Sequence, residues 1–382
     1  MLQTTAAPKA ANAGRGARPA RDINLIGGSA YSTTGGIQAV NRRLVRELDA
    51  AEWLRCAHFL WDDPEAVTEE GRNFATRGRA VFYRHDRKRM LGNFLRQAWR
   101  FSPDRWLCTH VNYALLGLAA SGWRPQRVGV ILHAAELDGD LSTMRRFALC
   151  RAGFIIAVSE YTKSKAIKVG VPESRIHVLL HGVDDACPMW RADRVTAQNQ
   201  RVLFVGRMDE HYKGQAELIE ALVLLRRRVP RVTAVFVGGG RSLDHWRAHA
   251  QHRGVGSLIE FKGEISDAQL AAEYAAAALL VMPSENEGFG LVYAEAMAHG
   301  IPCIGSDRDA AREVISDGET GFCIPAHNAT ALADAILVLL TTPELRTKMA
   351  HASRERFVAF FSAEKYRERL RFSMAEWSAP AR

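Results

Sequence analysis

The chain has 382 residues, enough for two domains at about 100–200 residues each. With 47% hydrophobic and 24% charged residues it has an ordinary folded composition, which excludes collagenous, coiled-coil and wholly disordered classes. The net charge is +9, and residues 1–195 hold all of the excess, with 29 Lys and Arg against 19 Asp and Glu. A basic half can meet nucleic acid, an anionic membrane or an anionic substrate, and charge alone does not choose among them.

The first 21 residues carry Lys9, Arg15, Arg18 and Arg21, no acid, and no apolar core of a secretory signal. They read as a disordered tail. No apolar run approaches the roughly 20 residues that span a bilayer. The cysteines at 56, 108, 150, 187, 303 and 323 form no C-x-x-C pair and fit no zinc spacing. They are expected to be small buried hydrophobes of a reducing compartment, hence a cytoplasmic protein.

Strands are predicted at residues 23–28, 55–61, 80–83, 106–111, 128–133, 154–158 and 176–180. Helical spacing separates several of them, as with Ile37, Val40, Leu44, Val45 and Leu48 in residues 36–50. Residues 184–200 are polar and include Pro188, so the linker is placed there. The pattern restarts with strands at 202–206, 233–237, 259–261, 279–283 and 302–305, and helices beginning near Lys213, Ser242, Asp267 and Phe289. Strand–helix alternation predicts an α/β protein of two Rossmann-like domains with parallel sheets, facing across a central cleft. The expected division is a tail at 1–21, one domain at 22–190 and a second at 191–360. A C-terminal helix at 361–382 is expected to return to the first domain.

Five stretches carry chemistry. After the first strand come Gly27, Gly28 and Ser29, then Thr33, Thr34, Gly35, Gly36 and Ile37, small residues that let backbone approach an anion. The full G-x-G-x-x-G fingerprint is not there. Residues 84–100 place Met90, Leu91, Phe94, Leu95, Ala98 and Trp99 near helical spacing. Arg84, Arg87, Lys88, Arg89, Arg96 and Arg100 surround them. This reads either as a basic amphipathic helix for an anionic membrane or as a core-facing helix with a solvated basic side. Nucleic acid is not expected, because no recognition motif appears. His133 ends a buried strand, where a ligand contact competes with an ordinary satisfied core histidine. Asp138 and Asp140 form a D-x-D that could hold a metal, but three-residue matches are common.

In the second half, Gly206 and Arg207 leave a strand, and Lys213 and Gly214 precede a helix. Two cations at a strand–helix junction suit a diphosphate: Arg binds as a fork, Lys as a point charge, and helix N–H groups add to both. The last stretch runs from Pro283 through Glu287, Gly288, Phe289, Gly290 and Leu291 to Glu295. Backbone N–H groups at Phe289, Gly290 and Leu291 can face a phosphate or ribose. Carboxylates at Glu287 and Glu295 can accept from sugar hydroxyls at both ends of a nucleotide sugar. Taken singly, Glu287 can be an anion at a helix start, stabilised by the dipole, and Glu295 an exposed helix residue.

From about Ile23 to Trp377 the chain resembles the family-four retaining glycosyltransferases of the GT-B fold, of bacterial polysaccharide or glycolipid type. The resemblance is carried by G-R and K-G (Gly206, Arg207, Lys213, Gly214) and the E-x7-E pair (Glu287, Glu295). E-A-M-A-x-G-x-P at 295–302 and E-V-I-x-D-G-x-T-G-F at 313–322 extend it. The family implies that Arg207 and Lys213 bind the donor diphosphate, Glu295 the ribose and Glu287 the donor-sugar hydroxyls. It implies that the backbone at Gly35 and Gly36 touches phosphate, that His133 contacts the sugar, and that residues 261–265, including Ile265, lie beside the base. No metal or other cofactor is expected. Two departures are His181, where Asn is common, and Arg308-Asp309-Ala310-Ala311, where glycine pairs are common.

The implied activity is hexose transfer, of mannose or glucose type, from GDP-mannose or UDP-glucose to a glycan or polyprenyl-diphosphate-linked acceptor. Cell-envelope or exopolysaccharide synthesis is the expected setting, with the chain peripheral on the inner face of the cytoplasmic membrane. The other readings are a nucleotide-sugar epimerase or hydrolase of similar architecture and a non-catalytic nucleotide-sugar-binding subunit.

Overall fold

The computed structural model describes residues 23–31, 35–62, 79–84, 86–100, 105–139, 141–187, 190, 198–209 and 211–378. The expected tail, Thr33, Thr34, Asp140 and Pro188 lie outside them. The chain divides into two compact units: one of Leu2–Leu179 with Arg367–Arg382, the other Leu180–Tyr366.

The first unit is a seven-stranded sheet in the order β3-β2-β1-β4-β5-β6-β7, parallel throughout. Its strands are β1 (Ile23–Gly27), β2 (Leu54–Phe59), β3 (Arg79–Phe82), β4 (Arg105–Cys108), β5 (Val128–Leu132), β6 (Phe154–Ala157) and β7 (Ile176–Val178). The helices are α1 (Gly36–Ala50), α2 (Arg87–Arg100), α3 (Ala114–Ala120), α4 (Thr143–Arg151) and α5 (Glu160–Lys168). β1, β5 and β6 are buried along their whole length, as apolar runs covered on both faces must be. In α1, Val40, Leu44, Val45 and Leu48 are buried while Ile37 is 40% exposed, so the apolar stripe starts one turn into the helix.

The second unit has six parallel strands in the order β10-β9-β8-β11-β12-β13. They are β8 (Arg201–Val205), β9 (Thr233–Val237), β10 (Ile259–Gly263), β11 (Leu279–Met282), β12 (Cys303–Ser306) and β13 (Gly321–Ile324). Its helices are α6 (Gln215–Leu225), α7 (Leu243–His252), α8 (Asp267–Ala276), α9 (Leu291–Ala298), α10 (Ala311–Val314), α11 (Ala329–Thr341) and α12 (Pro343–Arg356). The core is apolar and close-packed around Phe204, Phe236, Leu280, Val281, Met297 and Ile304.

Two expectations need correction. β13 has no counterpart among the predicted strands, because its four residues follow an Asp-Gly-Glu-Thr turn and show no alternation long enough to read. The unit boundary falls at residues 179–180, ahead of the polar stretch chosen as linker. Residues 180–183 belong to the second unit: Val183 bridges to Ser362 and donates to the Phe361 carbonyl at 2.8 Å. A Cβ on Gly182 would lie 2.5 Å from Tyr366 Cβ, so that backbone is packed tight.

The last helix, α13 (Ala363–Ser378), belongs to the first unit from Arg367 onward. Arg367 meets the buried Glu47 carboxylate through two hydrogen bonds of 2.6 and 3.1 Å. The Trp377 ring stacks on Phe154 at 5.0 Å and its indole N–H donates to the Gln126 carbonyl.

Candidate functional site

Strand order decides where a ligand can sit. In the second unit, chain order reverses between β8 and β11, and the loops leaving those two strands flank the switch point. They hold residues 206–214 and 283–290, the two stretches that the sequence singles out.

These loops are locked together. Gly214, at φ +90°, caps α6, and a Cβ there would lie 2.5 Å from Pro283. The Glu285 N–H donates to the Tyr212 carbonyl at 3.0 Å. Across the gap the Lys213 ammonium meets the Glu287 carboxylate at 2.5 Å, with side chains 15% and 19% exposed. Burial works to lower the Lys213 pKa, but the facing Glu287 outweighs it and holds the ammonium above the usual lysine range. Lys213 is therefore charged at neutral pH.

Arg207 stands apart from that pair. Its side chain is 65% exposed, with the Asp209 carboxylate 3.7 Å away. Its backbone is fixed by Gln215, a fully buried side chain whose amide donates to the Arg207 carbonyl at 3.0 Å. The Gly206 N–H donates to the Val237 carbonyl. Beyond β9, Gly238 has φ +139°, and a Cβ there would lie 1.9 Å from the Gly206 carbonyl oxygen. Only a glycine lets these two strand ends converge.

The turn after β11 enters α9 through Gly290 in the left-handed region. The Phe289 ring points into the core, edge-on to His181 at 5.3 Å and to Phe361 at 5.8 Å. Phe289 can thus serve a ligand only through its backbone. The first turn of α9 supplies amide groups with no carbonyl partner inside the helix. Glu295 lies in the second turn, where its carboxylate accepts from the buried Tyr274 hydroxyl at 2.7 Å. Ile265 is half-buried in the loop between β10 and α8. Phe261, expected beside it, packs its ring on Phe236 at 5.0 Å.

Motif reading missed three groups: Gln215, Asp209 and Asp309. Asp309 is 4% exposed and accepts from the Ser284 hydroxyl, the Glu287 N–H and the Ala311 N–H at 2.7, 2.8 and 2.9 Å. Its only signal in the sequence is that an acid occupies a place where glycine is common in the resembled family.

The first unit has its own switch point, between β1 and β4. The loop after β1 is held by Asp62, another residue without a motif. Its carboxylate is fully buried and accepts from the Ser29 hydroxyl and the Ala30 and Tyr31 N–H groups at 2.6, 2.8 and 3.1 Å. Gly35 and Gly36 open α1 directly after it. His133 follows β5; its Nε2 lies 2.9 Å from the Thr109 carbonyl, its N–H donates to Glu136, and its ring stacks on His110 at 6.4 Å. Burial depresses the His110 pKa against the pull of Glu136. Asp138 pairs with Lys165 at 2.5 Å. Among the described residues no group of three or more His, Cys, Asp or Glu could hold a metal ion.

Residues 190–356 match the family model for glycosyl transferases group 1, and residues 34–186 match that for glycosyltransferase family 4. Over 268 residues the chain is 31% identical to a GDP-mannose-dependent alpha-(1-6)-phosphatidylinositol monomannoside mannosyltransferase of Mycolicibacterium smegmatis, covering 65% of this chain and 70% of that protein. Over 155 residues it is 39% identical to a phosphatidyl-myo-inositol mannosyltransferase of Mycobacterium leprae, a match spanning 40% of this chain and only 41% of that relative. In fold it is similar to Anabaena HepE in complex with UDP and glucose, with TM-score 0.77, 18% identity and coverage of 93% and 100% of the two chains. It is also similar in fold to sucrose-phosphate synthase of Thermosynechococcus elongatus, with TM-score 0.73, 22% identity and coverage of 92% and 97%.

Proposed function

We propose that this chain, which belongs to the family-four glycosyltransferases of the GT-B fold, moves a mannosyl group from GDP-mannose to a hydroxyl of a lipid-linked acceptor, with retention at the anomeric carbon. The observation that carries the reading is the Lys213–Glu287 pair at the switch point, one cation and one carboxylate within reach of a single donor. The activities of the mycobacterial relatives support GDP-mannose as donor and a lipid as acceptor.

Breaking the sugar–phosphate bond builds positive charge on the sugar and negative charge on the departing diphosphate. Lys213, Arg207 and the first amides of α9 stabilise that developing charge. Glu287 accepts from sugar hydroxyls near the reacting carbon, and Glu295 from the ribose. Gly35 and Gly36 bring backbone to the phosphate, His133 contacts the sugar, and Ile265 lies beside the base. Arg207 and Lys213 balance the diphosphate charge, so turnover is expected to persist in a chelator. The leaving phosphate assists the acceptor hydroxyl, and no side chain is assigned as an enzymic nucleophile.

Residues 84–100 support a peripheral seat on the inner face of the cytoplasmic membrane. In α2 Lys88, Arg89 and Arg96 are exposed, Met90 is buried and Leu91 is 49% exposed. Cosedimentation with vesicles of an anionic phospholipid at low salt tests this, and a chain that stays in the supernatant sinks it. Among the described residues no helix is long and apolar enough to cross a membrane.

The activity is tested by incubating the purified chain with GDP-mannose and phosphatidylinositol, then assigning the anomeric configuration of the product by NMR. An α-linked mannolipid is the expected product. An inverted linkage, or mannose released equally well without acceptor, would contradict the proposal.

A further inference from the structure

Glu287 sits on a turn, not on a regular element, and a turn does not aim a side chain unless something fixes it. That turn leaves β11 at Met282 and reaches α9 only at Leu291. Besides the Lys213 ion pair at its carboxylate, two backbone contacts hold Glu287 from outside the turn. The Ala310 N–H donates to the Glu287 carbonyl at 3.1 Å, and the Glu287 N–H donates to Asp309 at 2.8 Å. The same Asp309 oxygen takes the Ser284 hydroxyl at 2.7 Å, while the other takes the Ala311 N–H at 2.9 Å. A single carboxylate therefore ties the start of the turn, the residue that carries the acid, and the first residue of α10.

Asp309 is not a bystander of folding. A buried carboxylate is expensive to keep ionised, and burial pushes this one up to about 6 despite its three donors. The charged groups around it are Glu287, whose carboxylate opposes it, and Lys213, which both acids hold above its usual range. Tyr293 from α9 and Cys323 from β13 feel it too: burial raises both, and the Asp309 charge adds to that. An amide or an apolar side chain would fill the space without this electrostatic cost.

We propose that Asp309 is the positioning residue for Glu287: its carboxylate fixes the turn so that Glu287 is aimed at the donor sugar, and it thereby sets how much the sugar contributes to donor recognition. This rests on the reading that Glu287 holds donor-sugar hydroxyls. Asp309 itself touches neither sugar nor diphosphate in this scheme and acts through the Glu287 backbone. Ser284, which shares its oxygen, assists to a smaller extent.

The test compares binding with and without the sugar, and needs no acceptor. Calorimetry gives the dissociation constants of GDP and GDP-mannose, or of UDP and UDP-glucose if that pair is the one bound, for the full chain. Asp309→Asn is expected to leave nucleotide diphosphate affinity within about twofold while shrinking the advantage conferred by the sugar about tenfold. Glu287→Gln should shrink it likewise, and the double variant should do no worse than Glu287→Gln alone. In the wild type the sugar's advantage should fall as pH drops through 6, and in Asp309→Asn it should be flat there. Ser284→Ala, which leaves both amide contacts in place, guards against misfolding of the first variant and should show a smaller loss of the same kind.

The outcomes separate the two ideas. If Glu287→Gln keeps the wild-type advantage, or the wild type has none, the Glu287 reading fails and the proposal falls with it. If Glu287→Gln loses the advantage but Asp309→Asn and Ser284→Ala keep it, the proposal alone is overturned. Equal losses of nucleotide and sugar affinity in Asp309→Asn would overturn it too, as a merely structural effect.

Discussion

Replacing Lys213 with methionine removes one charge and keeps most of the side chain's volume. It leaves Glu287, 19% exposed, facing an apolar neighbour. A hydrogen bond to a charged group contributes about 1.5–3 kcal/mol, and a part-buried acid left without its partner costs a similar amount. A loss of about 2 kcal/mol should lower the melting temperature by about 4–8 °C for a unit of this size. The effect on turnover should be larger. Removing one preorganised group that stabilises developing negative charge typically costs about 10²–10³ in kcat. Both quantities are read on the same preparation, by thermal melting and by release of GDP from GDP-mannose. A variant that loses the melting temperature but keeps its turnover would refute the diphosphate assignment. A variant that keeps the melting temperature would refute the ion pair.

Other outcomes follow from the same contacts. Gly238→Ala puts a methyl 1.9 Å from the Gly206 carbonyl oxygen, so it should lower the melting temperature and abolish nucleotide binding together; normal binding would show that the strand ends can part. Asp62→Ala leaves three donors of the loop after β1 without their acceptor, which should cost about 1–3 kcal/mol by urea unfolding, and a loss within error would show that Asp62 does not hold that loop. Asp309 binds its proton more tightly when folded, since its pKa rises from 3.8 to about 6. Stability from this group therefore falls as pH rises between those values. Relative to Asp309→Asn, the wild type should gain up to about 3 kcal/mol on going from pH 7 to pH 4, and a flat difference would contradict the burial cost.

The sequence exposes what depends on local order. Strand–helix alternation shows two parallel sheets because apolar runs and helical stripes are read within a few residues. Lys213 and Glu287 announce themselves separately, each by its place at a strand–helix junction, and the fold then sets them 2.5 Å apart. Asp309, Gln215 and Asp62 are different. Each acts through hydrogen bonds to backbone that is remote in sequence or belongs to a turn, so no spacing reveals it. The boundary at 179–180 escapes for a related reason: residues 180–183 look like the end of one domain until their pairing with residues 361–362 is seen. β13 is legible only beside β12, since four residues carry too little pattern by themselves.

The claim that matters most is that the second unit binds a nucleotide sugar at its β8–β11 switch point. Its most direct test is calorimetric titration of the purified chain with GDP, UDP and ADP, repeated on Arg207→Ala and Lys213→Ala. Tight binding of one base, GDP by this account, with affinity falling at least tenfold in each variant, is the expected result. Binding that both variants retain in full would place the nucleotide elsewhere and contradict the account.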